Sequence, residues 1–407
     1  MSADETRGNG VNDDREKKMP PIKILHLIPT LSSGGAERQL VNLVTKTERE
    51  RVDHTVCVIN DSTFFASSIR SAGYKVIDFN LSNKHPFIKT RAAFRRVIAD
   101  EKPDVIHTWL YDANVSARLA AFHSSIPIVT SLQLADYEPD AIHHANWNSR
   151  KVRVLRSIDK ISAWMTDPYF VACSNFVANS YKKNFGVAGD KIKVIYNSVD
   201  PQVLDSGQSD EANLRDELAL PADGFVYLNV GRLDPQKNHK TIFAAFRQIL
   251  DKAPNAFLLL AGVGSMESEL RDATRNLGID EKVRFLGRRG DVGALLALAD
   301  VFIFPSLFEG LPVALVEAMF KRLPCIASQI EVFAEVIEDN KTGLLIDPLS
   351  PDELASAMMR LYEDADLRRT LGDNAYEHAA TKFSSSATAR EWEELYAEIY
   401  RDARTAL

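Results

Sequence analysis

Four charged side chains combine the right types with suggestive spacing. Arg232 and Lys237 fall in one short turn, "NVGRLDPQKNH", which also holds Gly231. A planar guanidinium fork beside a mobile ammonium suits a diphosphate, whose several oxygens take both kinds of partner. Asp234 and Pro235 stiffen that turn. Glu309 and Glu317 flank the start of a helix in "PSLFEGLPVALVEAM". Pro312 is well placed as the first helical residue, where its missing N–H costs nothing. The N–H groups of Gly310, Leu311 and Val313 would then face a ligand at the positive end of the helix dipole, where phosphate is stabilised. Glu317 is surrounded by Leu315, Val316, Ala318 and Met319, so a carboxylate there needs a partner. Taken singly, each residue is more often part of a solvated loop or helix face; together they point to an anionic ligand.

Groups that act together must be brought together, and the elements for this are readable. From Ile22 onward short β-rich runs alternate with helical patterns: "IKILHLIP", a helix from about Gly35, then "HTVCVI", "YKVIDF", "DVIHTW" and "IPIVTS". That rhythm builds a parallel sheet through right-handed crossovers. A second series runs "FVYLNVG", a helix from about His239, "AFLLLAG", "VRFLG", "DVFIFPS", "LPCIAS" and "GLLIDP". The fold class is therefore α/β, with two Rossmann-like doubly wound domains facing a central cleft. The expected division is a disordered leader over residues 1–20, a first domain over 21–203 and a second over 204–383, joined near Asp200 to Gln208. A helix over 384–407, with Trp392, Tyr396 and Tyr400 at four-residue spacing, is expected to cross back onto the first domain; the spacing fits packing on its own domain equally well. Open sheets of this kind bind ligands beyond the carboxyl ends of their strands, where all four charged residues fall.

Composition narrows the function. The 407 residues carry a net charge of −7, split between a basic region 21–200 (23 Lys+Arg against 17 Asp+Glu) and an acidic region 201–407 (22 against 34). Overall acidity argues against nucleic acid as a partner. Cys57, Cys173 and Cys325 sit in apolar runs without metal-ligand spacing, as reduced thiols of a cytosolic protein do. The first residues lack the apolar segment of a secretory signal, and the longest apolar run, near Ala294 to Phe308, is too broken to span a bilayer. The expected location is cytoplasmic.

Arg232-x4-Lys237, Glu309-x7-Glu317, "AGVGSMESEL" and "IPTLSSGGAERQLVNL" together resemble a GT-B-fold glycosyltransferase of the large family 4 of retaining enzymes (glycosyl transferases group 1), over roughly residues 22–400. The resemblance implies a hexosyltransferase-type, metal-independent enzyme that moves a sugar with retention from an NDP-sugar, a UDP-sugar by preference, to a glycan or lipid-linked acceptor. Polysaccharide or glycolipid assembly at the inner face of a membrane would be its setting. No cofactor is implied, because the nucleotide-sugar is a co-substrate. By the same resemblance Arg232 and Lys237 hold the diphosphate, Glu309 contacts the sugar hydroxyls and Glu317 grips the ribose diol. A front-face route in which a donor phosphate oxygen takes the acceptor's proton is the implied mechanism. A covalent two-carboxylate mechanism fits the spacing poorly.

Gly34 and Gly35 follow the first strand and allow a ligand to approach before a helix begins; without G-x-G-x-x-G a nicotinamide site is not indicated, even with Asp61 after the second strand. Gly262 and Gly264 make a similar turn, by resemblance near the base or ribose, with Arg288 of "FLGRRG" bordering the base. Where relatives carry a sugar-contacting histidine after the fifth strand, this chain has Gln133 or a neighbour. His107, ending "VIHTW", and His143 and His144 are candidates for the acceptor side. Asp364-Ala-Asp366 mimics a metal-binding D-x-D but falls in a charged turn near the end of the chain, and no metal site is indicated. Basic clusters at Lys89, Arg91, Arg95, Arg96 and at Arg150, Lys151, Arg153, Arg156, Lys160 would suit anionic lipid or a lipid-diphosphate acceptor. A sugar-nucleotide epimerase and a non-catalytic nucleotide-sugar-binding relative are the competing readings.

Overall fold

The computed structural model describes residues 20–32, 34–60, 64–81, 86–139, 142, 148–205 and 211–405. The expected leader up to Met19, Asp61, His143, His144 and the Ser206 to Gln208 part of the expected linker lie outside the described residues.

Seven parallel strands form the first sheet: β1 (Ile22–Ile28), β2 (Val52–Val58), β3 (Lys75–Asp78), β4 (Val105–Trp109), β5 (Ile128–Leu132), β6 (Tyr169–Ala172) and β7 (Ile192–Val194). Six form the second: β8 (Phe225–Val230), β9 (Ala256–Ala261), β10 (Val283–Gly287), β11 (Val301–Phe304), β12 (Cys325–Ser328) and β13 (Leu344–Ile346). Their orders are 3-2-1-4-5-6-7 and 10-9-8-11-12-13. In each sheet the order reverses beside the first strand, between β1 and β4 and between β8 and β11, which opens a crevice at the carboxyl ends. This is the GT-B arrangement of two Rossmann-like domains. Helices cover both faces, so central strands such as β4 and β9 are buried along their whole length and read as continuous apolar runs rather than alternating ones. The three cysteines are buried free thiols. Among the described residues no helix is long and apolar enough to cross a membrane.

The chain passes between the domains twice, and the two crossings pair. Val199 donates its N–H to the Phe383 carbonyl at 2.9 Å, and Ser385 donates to Val199 at 3.1 Å. Beyond them the helix Ser385–Thr405 lies on the first domain, where Trp392, Leu395, Tyr396 and Ile399 share a core with Ile24, Val52 and Val105. Tyr400 falls off that buried stripe, because four-residue steps overrun a 3.6-residue turn; its hydroxyl accepts from Arg404 at 2.9 Å.

Where this helix meets the sheet, the core is polar and fully bonded. His26 Nε2 and His54 Nδ1 lie 2.9 Å apart, His54 Nε2 meets the Thr47 hydroxyl at 2.8 Å, and Trp109 donates to His26 Nδ1 at 3.2 Å. His107 is held between the hydroxyls of Tyr396 and Ser131, both at 2.7 Å. Burial pushes the His54 ring down to about 3 and holds His26 and His107 well below the usual imidazole range. The acceptor-side expectation for His107 is thereby corrected: it occupies the middle of β4, under Trp392, with both nitrogens spent.

Candidate functional site

The turn after β8 and the loop after β11 are laced into one unit. Gln236 donates from Nε2 to the Phe308 carbonyl at 2.7 Å, and Leu307 N–H returns a bond to Gln236 at 2.8 Å. Asn238, left-handed at φ 54°, reaches the carbonyls of Pro348 at 2.6 Å and Pro305 at 3.3 Å. An asparagine tolerates that backbone better than most residues. The lacing sets Lys237 against Glu309 as an ion pair, both largely shielded from water, with the Lys237 ammonium 4.5 Å from the centre of the Phe304 ring. Gly231 leaves room for the lysine stem, since a Cβ there would come within 3.2 Å of it.

Arg232 differs from its companion. Its side chain is 70% exposed and pairs with Asp234 at 2.9 Å, so it stands at the rim while Lys237 lies inside. Gly262 and Gly264 serve this turn directly. A Cβ on Gly262 would fall 1.9 Å from the Gly231 carbonyl oxygen, and one on Gly264 within 2.4 Å of the Leu233 carbonyl oxygen. What fills the space a Cβ would need beside both glycines is the backbone of Gly231 and Leu233. Arg288 is exposed and has no ion pair among the described residues.

The helix after the loop spans Val313–Phe320, with Pro312 just outside it. Val313 donates its N–H to the Leu311 carbonyl at 3.0 Å, which removes it from the expected trio of open donors. The amides of Gly310 and Leu311 take no partner among the described residues. Gly310 is pressed onto the first domain: a Cβ would lie 2.0 Å from the Gln133 carbonyl oxygen, and Ser174 donates its hydroxyl to the Gly310 carbonyl at 2.7 Å. Gln133 therefore adjoins Glu309, and its side chain accepts from Asn197 at 2.9 Å.

Glu317 has the partner that its apolar surroundings require. It is buried and pairs at 2.5 Å with Arg38, from the helix Gly35–Lys46 of the opposite domain. Burial pushes its carboxyl up, and the Arg38 charge and hydrogen bond draw it part of the way back. Arg38 was missed by sequence reasoning; its only signal was its place in the first turn of a helix that begins at the cleft. On the same helix start, Glu37 folds back to accept from the Thr30 and Ser32 hydroxyls at 2.8 and 3.0 Å. Gly34 makes room for that carboxylate, which a Cβ would meet at 2.2 Å, while Gly35 borders open space.

The D-x-D pair has local work. Asp364 caps the helix Ala365–Lys382 through the Leu367 N–H at 2.8 Å, and Asp366 pairs with Arg369 at 2.5 Å. Below the clamp, His239 is buried, and burial and then the Lys237 charge push it down to about 4. A neutral imidazole there leaves Lys237 as the cation facing Glu309. The cleft thus presents an interior cation, a rim cation, two carboxylates and unpaired amides, a set that can take a diphosphate flanked by hydroxyl-bearing groups.

Both domains match known proteins. A family model described as Glycosyltransferase Family 4 matches residues 33–203, and one described as Glycosyl transferases group 1 matches residues 210–378. An uncharacterized glycosyltransferase of Methanocaldococcus jannaschii is 33% identical over 216 residues, 52% of this chain and 55% of that one; the match spans about half of that relative's length. The UDP-Gal:alpha-D-GlcNAc-diphosphoundecaprenol alpha-1,3-galactosyltransferase of Escherichia coli is 26% identical over 355 residues, 84% of this chain and 88% of that one. Among solved structures, Anabaena HepE in complex with UDP-glucose superposes with a TM-score of 0.79 at 24% identity, over 93% of this chain and 100% of that one, a likeness of fold.

Proposed function

We propose that the chain, whose two halves match models described as Glycosyltransferase Family 4 and Glycosyl transferases group 1, moves a sugar, with retention and without a metal, from a UDP-sugar to a lipid-linked acceptor at the cytoplasmic face of a membrane. The observation that carries this reading is the shielded Lys237–Glu309 pair at the carboxyl end of the second sheet, with Arg232 on the rim and Glu317 facing the first domain. The galactosyltransferase relative, named for a UDP-sugar donor and a diphosphoundecaprenol acceptor, supports both substrate classes.

Breaking a glycosyl–phosphate bond puts negative charge on the departing diphosphate and positive charge on the sugar carbon. Only interactions that strengthen as that charge develops speed the step, and Lys237 is a preorganised cation in a water-poor site, the kind of group that does so. Glu309, already oriented by Lys237, accepts from the sugar hydroxyls. Glu317 accepts from the ribose diol, which requires its bond to Arg38 to open; donor binding is in this way coupled to the seam between the domains. A donor phosphate oxygen takes the acceptor's proton on the same face that the leaving group vacates. No cofactor enters, since the nucleotide-sugar is consumed as a substrate.

A panel of nucleotide-sugars read by thermal shift tests the donor half, because a ligand that binds only the folded form raises its midpoint. A rise with one or more UDP-sugars, and product formed only when acceptor is added, is expected. No shift with any nucleotide-sugar, or turnover of donor to an epimer in the absence of acceptor, overturns the reading.

A further inference from the structure

The helix Ser149–Thr166 carries a feature that the donor site does not use. Its inner face is well anchored: Asp159 is buried, paired at 2.5 Å with Arg118 and accepting from the Tyr137 hydroxyl at 2.7 Å. Its outer face carries large apolar side chains among its exposed cations, where a surface helix is usually polar throughout. Val154 is 59% exposed, Ile158 38%, Ile161 59% and Trp164 85%. Steps of four, three and three residues keep these side chains on one side of the helix. Isolated apolar residues on a surface need no explanation, whereas a contiguous stripe of this kind marks an interaction site.

Charge says what covers it. Arg150, Lys151, Arg153, Arg156 and Lys160 line the same helix, and none has a carboxylate within ion-pair distance among the described residues. The helix's one acidic residue, Asp159, is committed inward. A second copy of the chain seated on this stripe through the same helix would bring like charges together. A nucleic acid would answer the cations but leave the isoleucines and the tryptophan unserved. An anionic bilayer answers both: phosphates meet the Lys and Arg heads, and the apolar stripe enters the boundary of the acyl layer, where tryptophan is at home.

We infer that the exposed face of Ser149–Thr166 is a docking surface for anionic lipid, with Trp164 and Ile161 as its inserted residues and the flanking cations as its electrostatic part. This rests on the lipid-linked acceptor of the proposed function for its purpose, and on the helix alone for its physics. The helix belongs to the first domain and packs beside Tyr111–Ala121, so docking would fix that domain at the bilayer and leave the second free to move against it.

The test is co-sedimentation of the full chain with vesicles of phosphatidylglycerol and phosphatidylcholine, against vesicles of phosphatidylcholine alone, at low and high salt. Binding to the anionic vesicles, weakened by salt, is expected, together with quenching of tryptophan emission by brominated acyl chains. The double variant Trp164→Ser, Ile161→Ser should bind about tenfold less or worse while keeping its transfer rate to a water-soluble acceptor, since neither residue touches the donor site. Equal binding by variant and parent, binding to neutral vesicles as strong as to anionic ones, or a stripe-dependent dimer in light scattering without vesicle binding, overturns the inference. A chain that binds vesicles yet shows no thermal shift with any nucleotide-sugar would leave the docking surface standing and sink the proposed function instead.

Discussion

The two sheets share a strand order and differ in where they keep their polar residues. In the first, His26, His54 and His107 lie within β1, β2 and β4; His26 bonds His54, His107 bonds Tyr396 and Ser131, and the last helix closes over them. In the second, the buried centres of the strands are mostly apolar, with Asn229 in β8 and Arg284 in β10 as exceptions, and the Lys237–Glu309 ion pair lies past the strand ends. Burial within a strand keeps an imidazole neutral, and the same apolar surroundings would make a charge costly. Beyond a strand end the crevice is partly wet and a cation survives. Position along the strand therefore separates the histidines that hold the fold from the charged pair that lines the candidate site, although both kinds of residue end up nearly inaccessible.

Acid is the strongest probe of that contrast. Folded His54 and His239 titrate at about 3 and about 4, and His26 and His107 also lie far below 6.5. On acidification the unfolded chain binds protons first, so stability is fully present above about pH 6.5 and is lost as the pH falls toward the folded values. Each histidine contributes about 1.4 kcal/mol per pH unit inside that window, enough in combination to exhaust the stability of a typical domain. Denaturant midpoints measured at neutral pH and at about pH 5 should differ sharply; equal midpoints would mean that the cluster is hydrated. Next in size is Lys237→Ala, expected to lower kcat by about 10²–10³, or roughly 2.7–4 kcal/mol. Steady-state kinetics on the variant check this, and near-normal transfer would remove Lys237 from the reaction.

Much of this was readable in advance, for physical reasons that also explain what was not. The long central strands announce themselves because burial on both faces makes them continuously apolar, and all six strands of the second sheet coincide with marked runs. β6 and β7 have no marked run of their own, although β11, β12 and β13 are just as short; β7 is nowhere fully buried and so lacks the continuous apolar signature. Glu317's need for a partner could be read from its neighbours, but the partner could not: Arg38 is 279 positions away, and nothing local links them. The glycines show a subtler limit. Gly262 and Gly264 do mark places where a side chain would not fit, yet a sequence cannot say whether the crowding atom belongs to a ligand or to the Gly231 and Leu233 backbone. In Ser149–Thr166 the cations were conspicuous by composition, while the apolar stripe emerges only once the buried face of the helix is known.

The carboxylate on the seam should give a smaller effect than the interior lysine. In the proposed function Glu317→Ala removes a ribose acceptor, and it releases Arg38, so donor affinity should fall by about tenfold, near 1.4 kcal/mol, with kcat changed much less. Isothermal titration with UDP beside the kinetics separates the two, and a loss confined to kcat would move Glu317 from binding to chemistry.

Arg232→Ala is the smallest and the most informative of the series. Its guanidinium is mostly in water and already engaged by Asp234, and an exposed pair of that sort contributes about 0.2–1 kcal/mol. If the rim stays a rim, kcat/KM for the variant should drop by less than about tenfold, well short of the Lys237→Ala loss. If instead the domains close on the donor, as hinged clefts do, Arg232 leaves Asp234 for the diphosphate and becomes an interior cation in the transition state. The loss would then match that of Lys237→Ala, and the two effects would be far from additive in the double variant. Raising the ionic strength tells the cases apart independently, because salt screens an exposed charge and spares a sequestered one: a salt-insensitive transfer rate in the parent chain places Arg232 inside the closed site.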